Sequence, residues 1–145
     1  MSSGGRHARG MIMRRRVLGD AHVDRAEAAK TSLDQPFQEL ITEGAWGTVW
    51  TRSGLSLRDR SLITLALLAG LGNDAEIAMH VRATANTGAT PEEIIEAMLH
   101  VAIYAGVPRA NHAIKIVKAT LAEMEAEEVE MEAAAAPDAP AGAPE

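Results

Sequence analysis

Hydrophobic residues recur with helical spacing along most of the chain, and signals that begin or end a helix stand between the repeats. An apolar stripe follows Asp34 and Pro36, where the proline suits the first turn of a helix because its missing N–H is not needed there. The next helix, Leu57–Leu71, follows a Ser56 cap and is apolar on nearly every side, so other helices or a second subunit must surround it. No segment shows the alternating pattern of a strand.

Further helices are predicted in the second half of the chain, at residues 73–87, 91–104 and 108–125. Asn73 and Glu76 are spaced as a capping pair for the first of them, and Thr90 with Glu93 forms a capping box for the second. Gly88 separates these two helices, which we expect to pack as an antiparallel pair. The pattern predicts an all-α, single-domain helical bundle of five to six helices.

The two ends of the chain differ from this middle part. Residues 1–13 are mostly Ser, Gly and Arg, and residues 126–145 pass from acidic residues into an Ala/Pro run. Neither stretch has enough bulky apolar side chains to form a core, so both are predicted to be disordered tails around a helical domain at residues 14–125. Within that domain, residues 14–24 read as an ordered arm laid across a neighbouring surface.

Composition restricts the chemistry that this chain can perform. Hydrophobic residues make up 47% of it and aromatic residues only 3%, which favours packed helices over sheets. Cysteine is absent, which excludes disulfides, thiolate metal sites, redox dithiols and cysteine nucleophiles. The longest apolar run, residues 62–71, is too short to span a bilayer, and the first residues lack the apolar core of a signal peptide. We therefore expect a soluble, cytoplasmic protein without a membrane segment.

Charge is distributed unevenly around a net value of −6. Five arginines lie within the first 16 residues, whereas every charged residue after Lys118 is acidic. A basic segment this short, without interleaved aromatic residues and on an acidic protein, argues against a nucleic-acid partner. Residues 14–16 are interpreted instead as a solvated arm or a subunit contact.

Two pairs of residues are the candidates for chemistry. Glu76 and His80 stand four residues apart, so one helical turn places a carboxylate and an imidazole on the same face. By spacing alone they are most economically a capping residue and a core histidine, and an acid/base pair is the alternative. Trp46 and Trp50, also four apart, form either a hydrophobic anchor or the wall of a ligand pocket. One Glu and one His are an incomplete ligand set for a metal, so no metal is expected.

Five segments resemble, in the same order, the carboxymuconolactone decarboxylase family, and within it the 4-carboxymuconolactone decarboxylase branch. They are VLGDAHVDRA at 17–26, AWGTVWTRSGL at 45–55, RDRSLITLALL at 58–68, EIAMHVRATANTGATPEEIIEAMLH at 76–100 and IYAGVPRAN at 103–111. The resemblance implies an alkylhydroperoxidase D-like helical fold that assembles as a ring homo-oligomer, a trimer or a hexamer. Aligned on His80, the cysteines of the peroxidase branch fall at Asn73 and Glu76, so peroxidase activity is not implied.

The resemblance further implies cofactor-independent decarboxylation of 4-carboxymuconolactone to 3-oxoadipate enol-lactone, in the β-ketoadipate pathway of protocatechuate catabolism. This lactone dicarboxylate carries its own electron sink, because the electron pair left by CO₂ can pass through the C=C bond into the lactone carbonyl. No cofactor is therefore expected. Our hypothesis is that His80 donates the proton or a hydrogen bond to the enolate, and that Glu76 orients it.

Other side chains would complete such a site. Arg52 is the expected clamp for a substrate carboxylate, Trp46 and Trp50 would exclude water from the anion, and His22 would complete the pocket or contact another subunit. Two alternatives remain open: a cofactor-free enzyme acting on another unsaturated lactone or β-keto acid, and a non-catalytic helical oligomer that binds a small acid. Because relatives are sometimes fused to an enol-lactone hydrolase, a functional link to such an enzyme is also expected.

Overall fold

The computed structural model describes residues 3–137, in which the chain forms seven α-helices and one π-helical segment. In chain order they are α1 (Ser3–Leu18), α2 (Asp20–Ala29), α3 (Gln35–Ile41), the π-helical segment (Thr42–Val49), α4 (Leu57–Leu71), α5 (Asp74–Thr87), α6 (Pro91–Tyr104) and α7 (Val107–Ala135). No strand occurs between residues 3 and 137, and the prediction of an all-α fold is confirmed. There are more helices than the five to six predicted, because residues 14–24, predicted to be an arm, fold as the end of α1 and the first half of α2.

The main core lies between α4, α5, α6 and α7. Its fully buried side chains, which come from all four helices, are Leu65, Ala69, Ile77, Val81, Ile94, Met98, Ala113 and Val117. Burying this much aliphatic surface is the main driving force for packing these helices. α4 is covered on one side only, since Ile63, Leu67 and Leu71 remain exposed. An apolar groove of about 370 Å³ between α4 and α6 includes Leu67 and Leu71.

Two of the predicted helix caps form, and one does not. The Ser56 hydroxyl accepts the backbone N–H of Asp59 at 3.1 Å, and Thr90 and Glu93 form the reciprocal capping box. The Asn73 side chain makes no capping bond to α5, so the predicted Asn73–Glu76 capping pair is wrong. Its backbone belongs to the turn that ends α4, with its N–H donated to Leu68 O at 2.9 Å and a ψ of 59° far from the extended value that a capping residue needs.

The beginning of the chain departs from the prediction of disorder, because α1 is a continuous helix packed on the π-helical segment. Glycines make this packing possible. A Cβ atom on Gly10 would lie 2.1 Å from the carbonyl oxygen of Thr42, and one on Gly47 would lie 2.5 Å from that of Arg6. The two backbones therefore touch, and this contact orders a segment that is poor in apolar side chains.

The other end of the domain also extends further than predicted, since α7 continues to Ala135 rather than ending near residue 125. Arg82 of α5 donates to Glu123 at 2.8 Å and to Glu127 at 3.0 Å, and these ion pairs tie the extension to the bundle. Residues 1–2 and 138–145 of the predicted tails lie outside the described residues. Within residues 3–137, no helix is both long enough and apolar enough to cross a membrane.

The glycine contact predicts opposite effects for two alanine substitutions in α1. Gly10→Ala should destabilise the fold by about 3 kcal/mol, because the added methyl group meets backbone atoms that cannot move aside. Gly4→Ala should leave stability unchanged or slightly raised, because the added carbon has no described atom within 4 Å apart from its chain neighbours and the backbone of its own helix. Urea unfolding of both variants measures the difference. Equal stabilities would contradict the packing of α1 through Gly10.

Candidate active site

His80 is the one buried histidine in the described chain, with 9% of its surface exposed. It lies in the middle of α5, and its Nδ1 atom is buried without a hydrogen-bond partner among residues 3–137. Burial, and to a smaller extent the nearby His22, lower the pKa of His80 to about 4. The imidazole is therefore neutral at pH 7 and keeps an unused hydrogen-bonding atom.

The structure does not join Glu76 to His80 as the helical spacing suggested. Glu76 is exposed on the first turn of α5, and no hydrogen bond links its carboxylate to the imidazole of His80. Its charge acts instead on His22, whose pKa it raises. Burial, Arg25 and Arg14 outweigh that effect, and the pKa of His22 is lowered overall. The expected orienting contact is absent here because the carboxylate remains at the solvent-facing start of the helix.

His22 reaches this region from α2. A glycine with φ of +87°, Gly19, turns the chain between α1 and α2, and the Asn86 side chain of α5 donates to Val17 O at 2.9 Å just before the turn. This hydrogen bond holds the turn between α1 and α2 against α5. His22, half-buried on α2, is then close enough to His80 for its charge to lower the pKa of that residue. The structure thus brings together two of the predicted site residues.

Arg14 is a functional candidate that the sequence did not indicate, because residues 14–16 are predicted there to be a solvated arm or a subunit contact. Only 5% of it is exposed. Its Nη2 donates to Gln38 Oε1 at 3.3 Å and its Nη1 lies 3.8 Å from Glu27 Oε1. Nε and Nη1 have no hydrogen-bond partner among the described residues. Gly10, Arg14 and Val17 have the spacing of one helical face, so a helix at this position would have indicated that Arg14 points inward.

Trp46 and Trp50 are both buried, with 6% and 7% of their surfaces exposed and their ring centroids 5.1 Å apart. They form a second hydrophobic cluster with Val17 of α1 and Ala83 of α5. Ala83 lies three residues after His80 and therefore on a neighbouring part of the same helix face. The pair anchors α1 to α5 beside the histidine. Trp46 belongs to the π-helical segment, a geometry that recurs at functional sites.

Arg52, the expected carboxylate clamp, is exposed in the loop that follows Trp50. Its carbonyl oxygen accepts a bond from Arg60 Nη2 at 3.1 Å, while its own guanidinium forms no hydrogen bond with residues 3–137. Arg52 is not among the charges that shift the pKa of His22 or His80. The predicted contribution of Arg52 to the site therefore receives no geometric support from the single chain.

Arg14, His22 and His80 form a cluster, which we call the α1–α2–α5 cluster, from three different helices. It joins a buried guanidinium to two imidazoles whose pKa values are lowered, with the carboxylates of Glu27 and Glu76 at its edges. Unpaired donors on a buried cation suit a small carboxylate, and a neutral imidazole can donate or accept one hydrogen bond. Within residues 3–137, no group of three His, Asp or Glu side chains is arranged to hold a metal ion.

Comparison with known proteins identifies the family to which this chain belongs. The sequence profile described as "Carboxymuconolactone decarboxylase family" matches residues 35–119. The chain belongs to this family, as the resemblance predicted. It is 43% identical over 109 residues to the 4-carboxymuconolactone decarboxylase of Acinetobacter baylyi, covering 75% of this chain and 81% of that protein. It is also 44% identical over 115 residues to the nitrosuccinic acid decarboxylase npaB of Metarhizium robertsii, covering 79% and 80%.

The shifted pKa of His80 predicts how stability depends on pH. Between pH 6.5 and about 4 the unfolded chain binds a proton that the folded chain does not, so the stability contributed by neutral His80 falls as the pH drops through this range. The loss approaches about 3 kcal/mol at the acid end. His80→Gln should remove this part of the pH dependence, as measured by urea unfolding at several pH values in that range.

The matched control for this experiment is His100→Gln, because His100 is exposed and stacks on Tyr104. This variant should keep the pH dependence of the unmodified protein. If His80→Gln and the unmodified protein lose stability in parallel as the pH falls, then His80 is not buried in its neutral form.

Proposed function

We propose that this protein is a cofactor-independent carboxy-lyase that converts 4-carboxymuconolactone to 3-oxoadipate enol-lactone in protocatechuate catabolism. The observation that carries the proposal is the 43% identity to a protein named 4-carboxymuconolactone decarboxylase, over 81% of its length. A shorter stretch of 42 residues is 50% identical to the protein of the same name from Pseudomonas putida. The α1–α2–α5 cluster supplies groups that suit a dianionic substrate.

The substrate performs most of the electronic work in this reaction. The carboxylate that is lost and the carboxymethyl group that is retained share one ring carbon, next to the ring oxygen. When the C–C bond to the carboxylate breaks, its electron pair passes through the C=C bond into the lactone carbonyl and forms an enolate. One proton delivered to the ring carbon next to that carbonyl completes the enol-lactone. The protein has to bind the dianion, stabilise the enolate and supply this proton.

His80 is the residue that we propose for the last two tasks. At pH 7 its neutral N–H group can donate a hydrogen bond to the enolate oxygen as negative charge develops there. A bound dianion raises the pKa of His80, since its negative charge favours the protonated imidazole and opposes the effect of burial. The imidazole can then take up a proton from solvent and pass it to the ring carbon.

The remaining roles are part of the same proposal. Trp46 and Trp50 exclude water from the anion, His22 completes the pocket, and Glu76 acts on His80 only indirectly, through His22. Arg52 would bind a substrate carboxylate from the exposed loop.

We also propose a cytoplasmic ring of subunits, a trimer or a hexamer, and a functional link to an enzyme that hydrolyses the enol-lactone. The exposed apolar side chains of α4 and α6 support the assembly.

A second candidate substrate is nitrosuccinic acid, which is favoured by the 44% identity to the protein from Metarhizium robertsii. Nitrosuccinic acid is also a dicarboxylic acid with an electron-withdrawing group on the carbon that can lose CO₂. The nitro group accepts the electron pair as the lactone carbonyl does, so the protein would again stabilise an anion whose charge resides on oxygen. The two substrates therefore require the same kind of site.

A direct assay tests the proposal. Purified protein is added without metal or cofactor to 4-carboxymuconolactone generated in situ, and CO₂ release and ultraviolet absorbance are followed. We expect His80→Ala to lower kcat by about a hundredfold or more, because it removes the proton donor. Arg52→Ala should mainly raise KM, since it would weaken substrate binding.

The two candidate substrates are distinguished by running the same assay on each. Turnover of nitrosuccinic acid alone would transfer the proposal to the second candidate. A folded protein that turns over neither compound would contradict both. Full turnover by folded His80→Ala and Arg52→Ala would leave the activity in place and refute the assigned residues.

A further inference from the structure

Arg14 has more hydrogen-bond donors than partners, although it is almost completely buried. Of its guanidinium nitrogens only Nη2 forms a hydrogen bond, at 3.3 Å to Gln38, and Nε and Nη1 have no such partner in the described chain. Buried charged groups are normally paired and hydrogen-bonded on all sides, because an unpaired buried donor is costly. An arginine in this state has capacity for another acceptor.

The carboxylate nearest to Arg14 does not satisfy it. Glu27 Oε1 lies 3.8 Å from Nη1, which is too far for a hydrogen bond, while Glu27 Oε2 accepts a bond from Lys30 at 2.9 Å. The charge of Glu27 is thus shared with Lys30, which leaves Arg14 only partly neutralised. Arg15 of the same helix adds a second positive charge nearby, although Asp20 and Asp24 pair with it.

Arg14 also acts electrostatically on one of the groups proposed for the reaction. Its charge lowers the pKa of His22, and the charge of His22 lowers the pKa of His80, so His22 lies within electrostatic range of both side chains. Val17, one turn after Arg14, packs with Trp46 and Trp50. The family profile begins at residue 35, so Arg14 precedes the part of the chain that the profile describes.

We propose that Arg14, together with Arg52, binds the substrate carboxylate that is retained in the product. This inference rests on the proposed function. A guanidinium bound to the departing carboxylate would stabilise the ground state and lose its partner in the transition state, which would slow the reaction. The carboxymethyl group keeps its charge throughout, so Arg14 holds it without opposing the loss of CO₂. The retained carboxylate then supplies the acceptor that Nε and Nη1 lack.

Binding of two matched probes tests this assignment. The first is a butenolide that carries the carboxymethyl group but no ring carboxylate, and the second is its methyl ester. Isothermal titration calorimetry on the full chain should show that Arg14→Met weakens binding of the acid about tenfold or more and that Arg14→Lys weakens it less. Binding of the ester should not change. Arg16→Met, an exposed arginine of the same helix, should bind both probes as the unmodified protein does.

Stability separates a binding role from a structural one. Because Arg14 is underpaired, Arg14→Met should unfold at the same urea concentration as the unmodified protein or a higher one. Lower stability together with unchanged binding of the acid would overturn the proposal and make Arg14 a structural residue. Loss of binding in Arg52→Gln but not in Arg14→Met would overturn it in favour of Arg52.

The turnover assay keeps this proposal separate from the proposed function. A protein that decarboxylates 4-carboxymuconolactone, and whose Arg14→Met variant has unchanged KM and probe affinity, would refute the role of Arg14 alone. A protein that does not turn over the lactone but binds the acid probe only when Arg14 is present would refute the function and retain the carboxylate site.

Discussion

The close approach of α1 to the π-helical segment at Gly10 and Gly47 is the contact on which the candidate site depends. Because neither glycine has a Cβ atom, the backbones of α1 and the π-helical segment come into contact. This contact determines which side of α1 faces the rest of the protein. Arg14 and Val17 lie on that side. The arginine is therefore buried and the valine packs on the tryptophan pair. Without the glycine contact, this segment would have too few apolar side chains to stay folded against the protein.

Two buried groups of the candidate site have hydrogen-bonding capacity that residues 3–137 do not use. His80 is held neutral by burial, and two guanidinium nitrogens of Arg14 have no hydrogen-bond partner among these residues. A small carboxylate would satisfy both, since it pairs with the guanidinium and favours a protonated imidazole. Buried polar groups without partners reduce stability and are retained where they assist binding or catalysis. The candidate site thus holds a buried arginine in a protein whose net charge is −6.

The helices that form the aliphatic core and the helices that carry Arg14 and His22 lie in different layers of the fold. α4, α5, α6 and α7 form the aliphatic core, and α5 carries His80 at its boundary. α1 and α2 cover that boundary and contribute Arg14 and His22. The profile of the family spans residues 35–119, which includes the whole of α4, α5 and α6 but neither α1 nor α2. The covering layer is consequently where side chains beyond those of the family core reach the histidine.

Local signals in the sequence were sufficient to predict α4 and α6, because a capping residue, a proline and a helical apolar stripe act within a few neighbouring residues. Motif resemblance was also sufficient to indicate the family. Helical spacing singled out His80 as a candidate through its supposed partner Glu76, and that contact does not form. The partners of His80 could not be predicted in this way. Whether Glu76 reaches it, whether Arg14 is inside or outside, and whether residues 3–13 fold depend on how α1 packs against segments distant in sequence. Only the tertiary structure decides these three questions, because the burial and pairing of a charged side chain depend on the surfaces that pack around it.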